Sequence, residues 1–180
     1  MNLPNKITMF RVVLIPFFIL FMLCPVLGGA DKYVAAAIFI TASITDFIDG
    51  QLARRMNLVT NFGKFMDPLA DKLLVCSALI CLCGKKIPVV VVIIIISREF
   101  IISGFRLVAS DNGVVIAASW WGKVKTAVTM VTIILVVLEL PFPGSAILNQ
   151  VLIYISLVLT VISLLDYIMK NYKIFLEGAH

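Results

Sequence analysis

The sequence predicts an all-α integral membrane protein with six transmembrane helices and a short N-terminal interfacial segment. Hydrophobic residues make up 62% of its 180 residues and charged residues only 14%, whereas soluble domains carry about a quarter charged residues. The mean hydropathy is +1.11, and a chain of this length could not bury so much apolar surface in water. Apolar runs long enough to span a bilayer recur along the chain. We therefore expect a single membrane domain over residues 1–180.

Turn-forming residues divide the sequence into the six predicted spans. Residues 1–7 form the interfacial segment, and the apolar run Val12–Ala30 that follows is too long for the core of a signal peptide. Glycine and proline mark the turns after the first, third and fifth spans. The predicted spans are 8–28, 33–56, 62–84, 87–110, 118–139 and 146–170.

Basic residues are distributed unequally between the two ends of these spans. Only Lys32, Lys85 and Lys86 fall on the side of loops 1–2, 3–4 and 5–6, and the other twelve of the fifteen lie on or nearer the opposite side. The positive-inside rule therefore predicts a multi-pass cell-membrane protein whose termini and site are cytoplasmic. The net charge of +5 suits contact with anionic membrane lipids. Because the charges are tied to helix ends, no nucleic-acid partner is expected.

Four aspartates lie inside two adjacent predicted spans, where a carboxylate costs about 2.5–3.5 kcal/mol at a helix centre. Asp46 and Asp49 belong to the second span, and Asp67 and Asp71 to the third. Helical spacing brings each pair onto one face of its helix. The faces also carry small or basic residues, namely Gly50, Ala53 and Arg54 on the second span and Gly63 and Lys64 on the third.

Four carboxylates in one pocket would repel one another unless cations lay among them. An oxygen-only set of ligands suits Mg²⁺ or Mn²⁺, and four aspartates can support two ions. Two other interpretations remain open at this point. The aspartates could only pair with neighbouring basic residues, or they could serve an ion-coupled transporter or proton relay.

The run Asp46-x2-Asp49-Gly50-x2-Ala53-Arg54-x8-Gly63-x3-Asp67-x3-Asp71 resembles the signature of the CDP-alcohol phosphotransferase family. The resemblance implies transfer of a phosphatidyl group from CDP-diacylglycerol to an alcohol, with release of CMP. It implies that the four aspartates bind two Mg²⁺ or Mn²⁺ ions and that Asp71 also acts as the general base. It assigns the CDP-diacylglycerol site to Gly50, Ala53, Arg54 and Gly63. It also implies a homodimer.

Three flanking segments resemble the family's phosphatidylglycerophosphate synthases: Pro4–Arg11, Ser97–Arg106 and Gly122–Thr126. The resemblance implies glycerol 3-phosphate as the acceptor, and its phosphate requires additional basic residues. Arg98, Arg106, Lys123 and Lys125 provide such a surplus. The full set of residues expected to bind substrate phosphate is Thr8, Arg11, Lys64, Arg98, Arg106, Lys123 and Lys125. Serine, inositol phosphate and phosphatidylglycerol remain alternative acceptors. Glu99 is expected to pair with a basic side chain instead of binding metal.

Overall fold

The computed structural model describes residues 3–55, 61–111 and 119–177. These ranges contain six α-helices and no β-strand, which confirms the all-α fold class. Side chains are described over 6–45, 66, 69–107, 109 and 119–172. The helices are α1 Leu3–Leu23, α2 Asp31–Arg55, α3 Asn61–Leu82, α4 Val89–Asp111, α5 Trp120–Leu138 and α6 Ser145–Glu177.

Three of the helices in these ranges are long and apolar enough to cross a membrane, namely α1, α5 and α6. Helix α4 is also long enough, at 23 residues, but it carries Arg98, Glu99 and Arg106 among its apolar residues. Large apolar side chains such as Ile147 and Met169 are exposed, as expected for surfaces that face lipid. The chain is therefore a membrane protein, and the number of six spans stays a prediction.

Both ends of α1 differ from the prediction. The helix begins at Leu3, so most of the predicted interfacial segment forms its first turns. Pro4 fits there because the first turn of a helix does not need its missing N–H group. The helix ends at Leu23, before the predicted end at residue 28, because Pro25 disfavours helical backbone at the preceding residue.

The last helix is longer than predicted. Helix α6 runs to Glu177 instead of residue 170, with a kink at Asn171, where φ is −121° and ψ is 15°. The Asn171 side chain donates a hydrogen bond to the Tyr167 carbonyl oxygen at 2.8 Å. This bond occupies a carbonyl group at the kink, where the regular helical hydrogen bonds are interrupted.

The described chain forms two compact units, of which the first comprises Met1–Cys83 and Ile133–Leu140. In this unit α1 packs against α2 and α3, and α2 packs against α3. The Phe18 and Phe39 rings meet in its core, with centroids 5.8 Å apart. Small buried residues of α2, among them Ala35 and Ala42, allow a neighbouring helix to approach closely.

The turn between α1 and α2 is organised by Asp31, which precedes the predicted second span. Its carboxylate accepts backbone hydrogen bonds from Val26 and Leu27, both at 2.9 Å, and from Gly29 at 3.3 Å. Gly28 and Gly29 have φ values of 58° and 104°, which glycine adopts without strain. Desolvation alone would raise the pKa of Asp31, but the backbone N–H donors outweigh it and lower that pKa.

An ion pair links the start of α2 to the end of α5 within the first unit. The Lys32 ammonium lies 3.8 Å from the Glu139 carboxylate, and both side chains are partly exposed. The sequence places Lys32 in loop 1–2 and Glu139 beside loop 5–6. Their contact supports the prediction that these two loops lie on the same side of the membrane.

The second unit comprises Gly84–Thr132 and Pro141–His180, and in it α4 packs against α6. Helices α5 and α6 are joined by a hydrogen bond between the Thr132 and Ser156 hydroxyl groups, at 3.0 Å. Thr129 and Thr160 donate instead to carbonyl oxygens of their own helices. Buried hydroxyl groups on facing helices are a common means of helix association in membranes.

Candidate functional site

The four aspartates lie on two helices that pack together in the first unit. Asp46 and Asp49 are on α2, and Asp67 and Asp71 are on α3. Asp71 is half-buried and interacts with other residues. The side chains of the other three lie outside the described part of the structure. The described residues contain no cluster of three or more metal-binding side chains, and the metal site remains a prediction.

The residues expected to bind CDP-diacylglycerol share these two helices. Gly50, Ala53 and Arg54 belong to α2, and Gly63 belongs to α3. Lys64, which is expected to bind substrate phosphate, follows Gly63 on α3. Their side chains also lie outside the described set, so their roles remain predictions.

Thr8 and Arg11 belong to α1, which packs against both of the aspartate-bearing helices. They are one helical turn apart and are almost completely buried, and both interact with other residues. A fully buried arginine needs anionic or carbonyl partners, because its charge is costly to remove from water. The structure therefore places these two predicted phosphate-binding residues inside the unit that carries the aspartates.

A buried polar cluster joins the three helices of the second unit, and we call Arg98, Glu99, Lys125 and Ser163 the basic cluster. The Glu99 carboxylate accepts a hydrogen bond from Arg98 Nη1 at 3.0 Å and another from the Lys125 ammonium group. Arg98 Nη2 donates to the Ser163 hydroxyl. The expectation that Glu99 pairs with a basic side chain is confirmed. One carboxylate thus serves two cations, and the cluster keeps a net positive charge.

Gly122 lies directly beside this cluster. A Cβ atom at Gly122 would lie 3.5 Å from Arg98 Nη2 and 3.7 Å from the Ser163 hydroxyl oxygen. The Ser119 hydroxyl accepts a hydrogen bond from the Gly122 backbone N–H at 3.1 Å, at the start of α5. Gly122 and Lys125, both in the sequence segment singled out above, therefore lie beside or within the cluster.

The other two predicted basic residues of this unit, Arg106 and Lys123, are exposed. Arg106 follows Phe105 on α4. Tyr167 is only 5% exposed, and its ring meets that of Phe105 edge-on at 6.1 Å. The structure thus brings Arg98 and Lys125 together, places Arg106 near Tyr167 and leaves Lys123 at the surface.

Sequence reasoning missed Ser163 and Tyr167. Neither residue is charged, and both lie in the apolar sequence of α6, where serine and tyrosine are ordinary packing residues. The predicted topology could have indicated in part that these residues belong to the site. The end of α4, the start of α5 and the end of α6 all lie on the predicted cytoplasmic side, so polar residues there could have been grouped.

Comparison with known proteins identifies the family. Residues 1–162 match the family model of CDP-alcohol phosphatidyltransferase. Three bacterial proteins, each named CDP-diacylglycerol–glycerol-3-phosphate 3-phosphatidyltransferase, are similar to this chain over nearly its whole length. The protein of Bacillus subtilis (strain 168) is 44% identical over 185 residues, covering 96% of each chain. Those of Yersinia enterocolitica and Haemophilus influenzae are 39% and 38% identical, covering 98% and 93% of this chain and 98% and 91% of their own.

Proposed function

The chain belongs to the CDP-alcohol phosphatidyltransferase family, and we propose that it transfers the phosphatidyl group of CDP-diacylglycerol to glycerol 3-phosphate. The products are phosphatidylglycerophosphate and CMP. The observation that carries this proposal is the similarity to the Bacillus subtilis protein named CDP-diacylglycerol–glycerol-3-phosphate 3-phosphatidyltransferase. The two sequences are 44% identical, and the alignment covers 96% of each chain. The basic cluster of the second unit supports an acceptor that carries a phosphate group.

Divalent metal ions fit the four aspartates by their chemistry. Asp46, Asp49, Asp67 and Asp71 offer only carboxylate oxygens, from two helices that pack together, and such oxygens are the ligands that Mg²⁺ and Mn²⁺ prefer. These residues would hold two ions. When bound, the ions would neutralise the pyrophosphate charge and stabilise the charge that develops during displacement.

Asp71 is proposed to act as the general base as well as a ligand. It would accept the proton of the acceptor hydroxyl as the hydroxyl oxygen attacks the β-phosphorus of CDP-diacylglycerol. The bond between that phosphorus and the bridging oxygen then breaks, and CMP leaves with the electron pair. Asp71 lies on α3, one helical turn beyond Asp67, so a single helix supplies both roles.

The nucleotide and its phosphates are assigned to the first unit. Gly50, Ala53 and Gly63 offer little or no side chain, which leaves space for the ligand to approach the backbone of α2 and α3. Arg54 and Lys64 supply positive charge on the same helices. The buried Thr8 and Arg11 of α1 are proposed to bind substrate phosphate in the same unit.

The acceptor phosphate is assigned to the basic residues of the second unit. Arg98 and Lys125 are fixed by Glu99, and a fixed cation loses less conformational entropy when it binds an anion. The exposed Arg106 and Lys123 add charge at the predicted cytoplasmic end of the same helices. Serine is a zwitterion and would not need these additional positive charges, whereas inositol phosphate would.

We also propose that the protein is a homodimer in the cell membrane, with both termini and the site on the cytoplasmic side. The distribution of basic residues supports this orientation. The pairing of Lys32 with Glu139 supports the placement of loops 1–2 and 5–6 together on the opposite side. Cross-linking in mild detergent tests the dimer, and detection of monomer alone would contradict it.

A panel of acceptors tests the proposed reaction. Purified protein with CDP-diacylglycerol and Mn²⁺ should release CMP fastest with glycerol 3-phosphate. Faster CMP release with serine or inositol phosphate would reject glycerol 3-phosphate as the acceptor but would still support phosphatidyl transfer. An absence of CMP with every acceptor, together with solute flux in proteoliposomes, would favour a transporter instead.

A further inference from the structure

Three polar side-chain atoms of the second unit are buried without a hydrogen-bond partner among the described residues. They are Arg98 Nε on α4 and Tyr167 Oη and Asp166 Oδ2 on α6. The other Asp166 oxygen pairs with Lys170 at 2.7 Å, so that carboxylate already has a cation. The guanidinium N–H and the phenolic O–H are hydrogen-bond donors, whereas the Asp166 oxygen is an acceptor.

An unsatisfied buried hydroxyl group is costly, because it loses its bonds to water and gains nothing in return. The ring of Tyr167 is held in place by Phe105, and packing of the ring does not require the hydroxyl group. Phenylalanine would fill the same space without that cost. The presence of the hydroxyl group therefore indicates that a ligand forms a hydrogen bond with it.

The charges around Tyr167 indicate the chemistry of that partner. Arg98 Nη2 donates to Ser163, which lies one helical turn before Tyr167 on α6. Arg106 follows Phe105, whose ring meets that of Tyr167, and Lys125 shares Glu99 with Arg98. Glu99 supplies one negative charge against these three positive charges, which leaves an excess of positive charge within this set of side chains. A phosphate monoester carries about −1.5 to −2 at pH 7, together with several acceptor oxygens, and would neutralise it.

We infer that Tyr167 is a further substrate-binding residue, whose hydroxyl group donates a hydrogen bond to the phosphate of the acceptor beside Arg98. This inference rests on the proposed function for the identity of the acceptor. The predicted topology agrees with it, because Tyr167 lies near the cytoplasmic end of α6, where a soluble phosphate ester would arrive.

Tyr167→Phe tests the inference, because it removes the hydroxyl group and keeps the ring. Tyr154→Phe is the matched control, since Tyr154 lies on the same helix and is 48% exposed. We expect Tyr167→Phe to raise the KM for glycerol 3-phosphate about tenfold to a hundredfold, with the KM for CDP-diacylglycerol within about twofold. An unchanged KM for glycerol 3-phosphate, or an equal rise in both constants, would overturn the inference.

Melting of the full-length protein in detergent supplies a second measurement that does not depend on turnover. Without ligand, Tyr167→Phe should melt no lower than the parent protein, because the hydroxyl group has no hydrogen-bond partner to lose among the residues that the structure describes. Inorganic phosphate should raise the melting temperature of the parent and of Tyr154→Phe more than that of Tyr167→Phe. An equal rise in all three would mean that Tyr167 does not contact phosphate.

These two measurements separate the inference from the proposed function. If the parent protein released no CMP with glycerol 3-phosphate, the proposed acceptor would be rejected. The phosphate-dependent melting shift would still decide whether Tyr167 binds the anion. The parent could be active while Tyr167→Phe changes neither the KM for glycerol 3-phosphate nor the melting shift caused by phosphate. In that case the inference about Tyr167 would be rejected and the proposed function would be retained.

Discussion

Glu99 on α4 accepts a hydrogen bond from the ammonium group of Lys125 on α5, and the two residues are 26 positions apart in the sequence. The Lys125 side chain is only 2% exposed, and that of Glu99 is 15% exposed. The same Glu99 oxygen accepts the bond from Arg98. A single carboxylate therefore fixes two of the cations that we assign to the acceptor phosphate.

Glu99→Gln should destabilise the protein, because it removes the negative charge that pairs with two buried cations, Arg98 and Lys125. Breaking a buried ion pair from one side costs about 3–5 kcal/mol, which corresponds to a fall in melting temperature of roughly 6–20 °C for a chain of this size. Thermal melting in detergent measures the change. The double variant Glu99→Gln/Lys125→Met should recover much of the loss, because it removes one of the two buried cations as well.

Glu139→Gln is the matched control for this substitution. Glu139 also pairs with a lysine, but the distance is 3.8 Å and the Glu139 side chain is 53% exposed. Exposed ion pairs contribute about 0–1 kcal/mol, so this variant should melt within a few degrees of the parent. Equal effects of Glu99→Gln and Glu139→Gln would contradict the structural importance of the basic cluster.

Asp67→Asn should abolish CMP release and weaken Mn²⁺ binding, because it removes a charged metal ligand. The same is expected of Asp46→Asn and Asp49→Asn. Asp71→Asn should lower turnover at least as much, even where it retains some metal, since the base is lost too. Turnover and Mn²⁺ binding by electron paramagnetic resonance are the measurements.

Asp31→Asn is the control for the metal ligands, because it makes the same chemical change on α2, at the end opposite to Asp46 and Asp49. It should retain Mn²⁺ binding and turnover at a temperature where the variant is folded. Near-normal activity of Asp67→Asn would show that the two-metal assignment is wrong.

The sequence was sufficient to predict the all-α class. A long continuous apolar run in a membrane forms a helix, because a helix satisfies all of its backbone hydrogen bonds within the segment. The helix ends were harder to predict. Pro25 ended α1 early, and α6 continued through Asn171, because the final residues of a helix depend on local hydrogen bonds. The spacing of the aspartates identified the family, which the comparisons confirm.

The partners within the basic cluster could not be predicted from sequence. Ser163 is 65 positions from Arg98, and nothing in the apolar sequence of α6 marks it as the residue that accepts that bond. The charge of Lys125 was visible in the sequence, but its burial was not, since a basic residue near a cytoplasmic helix end is ordinarily exposed. Whether a given lysine or arginine is buried depends on the contacts that α4 makes with α6 and with the start of α5.

Acid should weaken the turn between α1 and α2. The pKa of Asp31 is lowered in the folded protein, so its contribution to stability is fully present above its unfolded pKa of about 3.9. That contribution decreases as the pH falls below this value and is lost as the pH passes through the lowered folded pKa. The difference in melting temperature between the parent and Asp31→Ala should therefore be largest near neutral pH and should shrink below about pH 4. A constant difference down to pH 3 would contradict the role of the carboxylate.

Arg106→Ala should raise the KM for glycerol 3-phosphate while the KM for CDP-diacylglycerol changes little, because we assign Arg106 to the acceptor alone. A charge-assisted contact to phosphate contributes about 1.5–3 kcal/mol, and the exposure of Arg106 favours the lower end, a rise of about tenfold. Salt screens exposed charges, so added salt should raise the acceptor KM of the parent more than that of the variant. Lys85→Ala is the control, since it removes an exposed cation from the predicted outer side and should change neither constant. If Arg106→Ala raised both constants equally, Arg106 would serve the nucleotide or the fold instead of the acceptor.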